Sequence, residues 1–155
     1  MILYSAGGGP YLDRVIAGRH DQLHPALQRR LSVRPTSLDD YVAAEEAVEG
    51  LRRDLAAFFA DHDLLLCPTG LVTAHGHDAA EVEIAGEVLA PRTAMRATIP
   101  FDLSGSPALS VPFGQSERAL PIGVQLVGRD FDEASVLAAG VALERARGPL
   151  PRPPL

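Results

Sequence analysis

Apolar residues at Leu38, Tyr41, Val42, Val48, Leu51, Leu55, Phe58 and Phe59 recur at spacings of three, four and seven. That period puts most of them on one face of a helix spanning Leu38–Asp61. Glu45, Glu46, Glu49, Arg52, Arg53 and Asp54 fall mainly on the opposite face and read as a solvated, charge-paired surface. Thr36-Ser-Leu-Asp39 ahead of it has the form of a capping box, with Thr36 as N-cap and Asp39 three residues on. Next, Asp63-Leu-Leu-Leu-Cys-Pro-Thr-Gly is an apolar run stopped by Pro68 and Gly70, which predicts a buried strand reaching a loop.

Alternation through Glu81–Leu89 around Ala85-Gly86 predicts a small hairpin ended by Pro91. Arg92–Ala97 supplies one or two helical turns. Ala108–Phe113 and Ile122–Val127 are apolar runs bounded by Gly and Pro, hence buried strands, joined by the tight, exposed connection Gln115–Leu120. A last helix, Phe131–Arg147, carries Phe131, Val136, Leu137, Val141 and Leu143 as its apolar stripe, with Asp132 and Glu133 suiting its N-terminus.

Signals elsewhere are shorter. Ser5-Ala-Gly-Gly-Gly-Pro reads as a flexible lead-in, with Pro10 at the first turn of a short helix over Tyr11–Ala17. Its glycines lack the G-x-G-x-x-G spacing of a phosphate cradle. His24-Pro-Ala-Leu-Gln-Arg-Arg-Leu reads as a second short helix, and the proline-rich residues 148–155 as a disordered tail. A long helix running into a buried strand is half of an α/β unit. The expected fold class is therefore α/β, a mixed sheet of few strands flanked by helices, forming one domain over residues 1–147.

Composition narrows the partners. A net charge of −6 argues against nucleic acid and anionic membrane, and no run approaches the ~18 apolar residues of a membrane span. The N-terminus lacks the basic segment of a secretory signal. The single cysteine, Cys67, cannot form an internal disulfide, so a cytoplasmic location is expected. All 14 basic residues are arginine. A mechanism that needs a lysine base must draw it from another polypeptide.

Among candidate chemistry, His75 and His77 follow a predicted strand in the His-x-His spacing by which some metal-dependent hydrolases begin a site. The other histidines (His20, His24 and His62) all precede them, and barrels of that type need ~250 residues, so exposed loop histidines are the simpler account. Ser104, Ser106 and Ser110 near Asp102 lack a G-x-S-x-G elbow and read as turn formers. Cys67, closing an apolar run, reads as an inert thiol. The carboxylate pairs Asp102 with Asp130 and Glu81 with Glu83 do not rise above background in their spacing.

Several stretches, in order, resemble the C-terminal part of the amidase signature family, hydrolases and amidotransferases acting on carboxylic amides. Asp63-Leu-Leu-Leu-Cys-Pro-Thr is similar to the family's Asp-Val-Leu-Leu-Thr-Pro-Thr. Thr98–Gly114 is similar to Thr-x-Pro-Phe-Asn-x-x-Gly-x-Pro-Ala-x-Ser-Val-Pro-x-Gly, and Leu120–Gly128 to Gly-Leu-Pro-x-Gly-x-Gln-x-x-Gly. Asp132-Glu133 before the final helix and His24-Pro-Ala-Leu fit as well. The resemblance covers about residues 2–146. Departures are Asp102 for the family's Asn, Ala119 for a glycine, and Pro68-Thr-Gly-Leu for Pro-Thr-Thr-Pro.

The resemblance implies the C-terminal part of the amidase fold without its catalytic centre. The family's nucleophilic Ser, bridging Ser and Lys lie in the N-terminal two-thirds of its members, and no catalytic residue is carried over. It also implies that Thr69, Thr98 and Asp102 wall a substrate cleft, with no cofactor and no metal. The expected partner is the missing N-terminal amidase portion, or a further copy through exposed sheet faces. The substrate, in the complete enzyme only, is a small aliphatic or aryl amide, or glutamine in a tRNA amidotransferase. The alternatives are a non-catalytic self-associating domain and, less so, a metal-dependent hydrolase using His75 and His77.

Overall fold

The computed structural model describes residues 2–25, 27–28 and 36–150. The first helix, α1, spans Ile2–Ile16 and contains Pro10. Helical geometry therefore passes through Gly7–Gly9, where a flexible lead-in was expected. Glycine adopts helical dihedrals without steric hindrance, and propensity is a weak prior, though three glycines at ~1 kcal/mol and an interior proline at ~3 make α1 a poor helix by itself. A turn opens at His24, whose carbonyl accepts from the Leu27 and Gln28 amides at 2.8 and 3.1 Å. The rest of the helix expected there, and residues 151–155 of the expected tail, lie outside the described residues.

The second helix, α2, spans Leu38–Asp61, as the periodicity predicts. Its cap sits one residue later than expected. Ser37, not Thr36, accepts from the Asp40 amide at 3.1 Å, and its hydroxyl donates to the Asp40 carboxylate at 2.7 Å. Either hydroxyl satisfies the pattern, and helix phase selects Ser37. The chain divides into two compact units within α2, Met1–Gly50 and Leu51–Leu155. In the first, Ile16 and Val48 are buried, whereas Leu38 is 75% exposed.

The second unit holds the sheet. Strand β1, Leu64–Pro68, pairs antiparallel with β5, Pro121–Gly128, which pairs antiparallel with β4, Ala108–Gln115, in the order β1-β5-β4. The α/β arrangement of few strands flanked by helices is what forms, but both pairings are antiparallel where a mixed sheet was expected. Strands β2, Val82–Ile84, and β3, Glu87–Leu89, form the separate hairpin about Ala85-Gly86. A 3-10 segment, Pro91–Ala97, leads into α3, Ile99–Ser104, which ends at Gly105 with φ 83°. Helix α4, Glu133–Arg147, is capped by Asp132, whose carboxylate accepts from the Ser135 amide at 3.3 Å.

Alternation along the strands divides the core in two. On one face Val127, wholly buried, packs with Phe59 and Phe101 and with Leu55, Phe58, Leu65 and Cys67. On the other Val111, Leu126 and Val136 pack with Leu64, Leu109, Val124, Ala139 and Leu143. The stripe expected on α4 is rotated. Val136 and Gly140 face inward, Leu137 and Val141 are exposed, and Phe131 lies outside the helix at φ 62°. The cause is close approach. A Cβ on Gly140 would strike Leu109, so the helix comes nearest the sheet at this glycine, with Val136 and Leu143 of the expected stripe and Ala139 packed around it.

The strands are less buried than expected. Leu66 on β1, Phe113 on β4 and Ile122 on β5 are exposed. Arg52 departs from the solvated face assigned to it. Its guanidinium donates from Nε to the Ser104 carbonyl at 3.1 Å and from Nη2 to that of Leu103 at 3.4 Å, closing the C-terminus of α3.

Candidate functional site

Two segments far apart in sequence, one leaving β1 at Thr69 and one running from Thr98 into α3, line a single cavity beside β4 and β5. The Thr69 amide donates to the Gly123 carbonyl at 3.2 Å, extending the β1–β5 pairing by one bond. Thr98 stands at the N-terminus of α3, fixed by its hydroxyl, which donates to the Met95 carbonyl at 3.1 Å. Asp102 projects from the first turn of that helix. All three line one cavity of about 280 Å³, together with Phe101, Ser106, Ala108, Ser110 and Gln125. The residues named from the resemblance are thus brought together.

Gln125 organises this cleft. It is 3% exposed, and Nε2 donates to the Ala97 carbonyl at 2.7 Å and to the Pro68 carbonyl at 3.0 Å. Both amide hydrogens are thereby used, one for each chain segment that delivers a threonine. Only Oε1 remains as an acceptor. The sequence carries a signal for this residue, a lone amide inside the apolar run Val124–Val127, since a polar side chain in a buried strand needs partners. Its partners are tertiary, so the strand pattern alone does not name them.

Thr69 Oγ1 and Ser110 Oγ are 3.1 Å apart across the cleft wall. Gly123 lies beneath them, where a Cβ would sit 3.3 Å from Thr69 Oγ1. Ser104 and Ser106 are buried and bonded to each other at 2.9 Å. The Ser104 hydroxyl also donates to the Phe101 carbonyl at 3.3 Å, so Ser106 donates to Ser104. This is turn-forming chemistry, as the sequence implied. Asp102, by contrast, has no cation paired with it among the described residues.

Other candidates lie elsewhere. Cys67 packs with the core, and burial raises its thiol pKa. His75 and His77 are exposed on the loop after β1, with His75 Nδ1 3.0 Å from the Gly76 carbonyl. Among the described residues no three metal-ligating side chains gather. Asp130 lines a different cavity from Asp102, one of about 320 Å³ with Arg52, Phe59, Ser104 and Arg129 on its walls. Arg129 there is tied to Asp63 at 3.3 Å and Asp132 at 3.9 Å.

Known proteins are similar to this chain in sequence and fold. The chain is 42% identical over 106 residues to a glutamyl-tRNA(Gln) amidotransferase subunit of Rhodospirillum rubrum, a match covering 68% of this chain and 20% of that protein. The corresponding protein of Moorella thermoacetica is 33% identical over 145 residues, covering 90% of this chain and 29% of its own length. A crystal structure of an amidase superposes with a TM-score of 0.82 at 28% identity, over 90% of this chain and 32% of that one. The chain therefore spans less than a third of the length of these relatives. With the amidase family model matching residues 12–137, which include the whole cleft, the chain belongs to the amidase family.

Proposed function

We propose that this chain supplies the C-terminal sheet and one wall of the substrate cleft of an amide-hydrolysing enzyme, residues 1–147 acting as one partial domain. The convergence of Thr69, Thr98 and Asp102 on one cleft carries the reading. A carboxamide presents N–H donors and a carbonyl acceptor. Asp102 offers an anionic acceptor to an N–H or an ammonium group, and the threonine hydroxyls offer neutral partners. The wall binds and orients. The Ser–Ser–Lys relay of the family needs a lysine, which this sequence lacks, so nucleophile and base come from polypeptide outside it.

The relatives are named amidotransferases for glutamyl-tRNA(Gln), which favours, for the complete enzyme, glutamine over a small aliphatic or aryl amide; its expected location is the cytoplasm. No helix among the described residues is long and apolar enough to cross a membrane. The test is reconstitution with an amidotransferase relative from which the matching segment has been deleted. Amide hydrolysis is expected from the mixture and not from this chain alone. Turnover of simple amides by the purified chain overturns the proposal. In the mixture, Asp102→Ala is expected to raise KM about tenfold while kcat changes little, the signature of lost substrate binding.

A second reading, a self-associating domain without catalytic role, draws on the exposure of Leu66, Phe113 and Ile122. A stable homodimer that ignores the amidase remainder would favour it.

A further inference from the structure

Resting on the function proposed above, we infer that the cleft wall selects a carboxamide that also carries an ammonium group, with Asp102 as the residue that reads the charge. Among the described residues that line the cavity, Asp102 is the only charged one. No ion pair among the described residues neutralises it. The arginines of the neighbouring cavity are engaged elsewhere, Arg52 with the carbonyls of Ser104 and Leu103 and Arg129 with Asp63 and Asp132. A cationic group entering the cleft is therefore attracted, and a carboxylate is repelled.

The neutral side chains of the wall favour the same ligand. Thr98 gives its hydroxyl hydrogen to the Met95 carbonyl. Gln125 spends both amide hydrogens on Ala97 and Pro68, and Ser106 donates to Ser104. Thr69 and Ser110 use one hydrogen between their two hydroxyls, which leaves one side-chain O–H donor among the described residues of the wall. The Thr98 oxygen and both carboxylate oxygens of Asp102 keep their lone pairs. Spent donors and free acceptors complement a group that only donates, and an ammonium has three N–H donors and no acceptor. A carboxylate, which only accepts, is the poorest match. An amide NH2 lies between them, since it donates but brings no charge.

This sets the class of substrate. It is an amide with a cationic amine a few bonds from the carboxamide, rather than a neutral alkyl or aryl amide. Glutamine meets the requirement through its α-ammonium group, and its α-carboxylate is then held by a cation outside this wall. Asparagine, which the family pattern carries at the position of Asp102, would offer an uncharged mixture of donor and acceptor.

The test is competitive inhibition of amide hydrolysis in the reconstituted mixture by three ligands of similar size: 4-aminobutanamide, which is cationic, pentanamide, which is neutral, and succinamate, which is anionic. The cationic ligand is expected to bind about tenfold more tightly than the neutral one, near the lower end of what a hydrogen bond to a charged group contributes. The anionic ligand should be the weakest. Asp102→Asn keeps the shape and removes the charge, and is expected to bring the cationic and neutral inhibition constants within about twofold of each other. Raising salt from about 0.05 M to about 0.5 M should narrow the preference in the parent chain and not in the variant. A merely structural role for Asp102 would weaken all three ligands alike. Equal inhibition by the cationic and neutral ligands, or a preference that survives Asp102→Asn, overturns the charge assignment and leaves the proposed function standing. If the mixture hydrolyses no amide, the proposed function falls, and this inference with it.

Discussion

Gln125 donates to the carbonyl of Ala97 at 2.7 Å across 28 residues of chain, from within a buried strand. The same nitrogen reaches Pro68, so one side chain fixes the segments that end in Thr69 and Thr98. Gln125→Leu keeps the volume and removes both bonds, leaving two part-buried carbonyls without a donor. An unpaired buried acceptor costs ~1–3 kcal/mol. The variant is expected to lose stability in that range by urea denaturation, with unchanged m-value. The amides of Thr69 and Thr98 should exchange faster, whereas those of α4, on the other face, should not.

Gly140 makes the contact that sets the rotation of α4. A Cβ there would overlap the Leu109 side chain and come within 3.9 Å of Val111. Gly140→Ala improves helix propensity by ~1 kcal/mol, yet overpacking a filled core costs ~1–3 kcal/mol. The net expectation is destabilisation. Shortening Leu109 to Ala opens the space, so Gly140→Ala should become neutral or stabilising in that background. A double-mutant cycle by thermal or urea unfolding measures this coupling, and purely additive effects would mean that the contact does not position the helix.

What the sequence made legible was local. The period of α2, the hairpin about Ala85-Gly86 and the apolar runs of β4 and β5 are each written in a few neighbouring residues, and all three form. The misses are tertiary. Leu137 and Val141 fit a helical stripe as well as Val136 does, and only the approach of Gly140 to Leu109 decides which side is buried. Phe131 looked like the first residue of that stripe but is 94% exposed at φ 62°. The resemblance named Thr69, Thr98 and Asp102 as neighbours, while Gln125 and Ser110, which join them in the cleft, depend on sheet register.

Ala85 is the simplest place to stabilise the chain. It occupies the first turn position between β2 and β3 at φ 53°, followed by Gly86 at φ 83°. Two left-handed residues are what a two-residue hairpin turn requires, and Asn-Gly is the preferred pair. The alanine Cβ costs ~1 kcal/mol at such an angle. Ala85→Asn is expected to raise stability by about 0.5–1 kcal/mol, read as a later urea midpoint. Ala85→Val, branched at the same backbone angle, should lower it.

Cys67 gives the fold a pH dependence of known sign. Burial raises its thiol pKa in the folded chain. The unfolded chain therefore ionises this thiol first as pH rises. Its contribution to stability is complete below the unfolded pKa and is lost as pH climbs through the folded value. Urea midpoints measured from about pH 7 to pH 10.5, a range that brackets ordinary thiol ionisation, are expected to fall at the alkaline end. Cys67→Ala should flatten that fall. Subtracting the two profiles removes the contribution of Tyr41, whose phenol is also raised, by its hydrogen bond to Glu45. The same raised pKa makes Cys67 a slow nucleophile. Its alkylation by iodoacetamide near neutral pH should lag behind the same thiol in urea, and equal rates would mean that the β1 face carrying Cys67 is open to water.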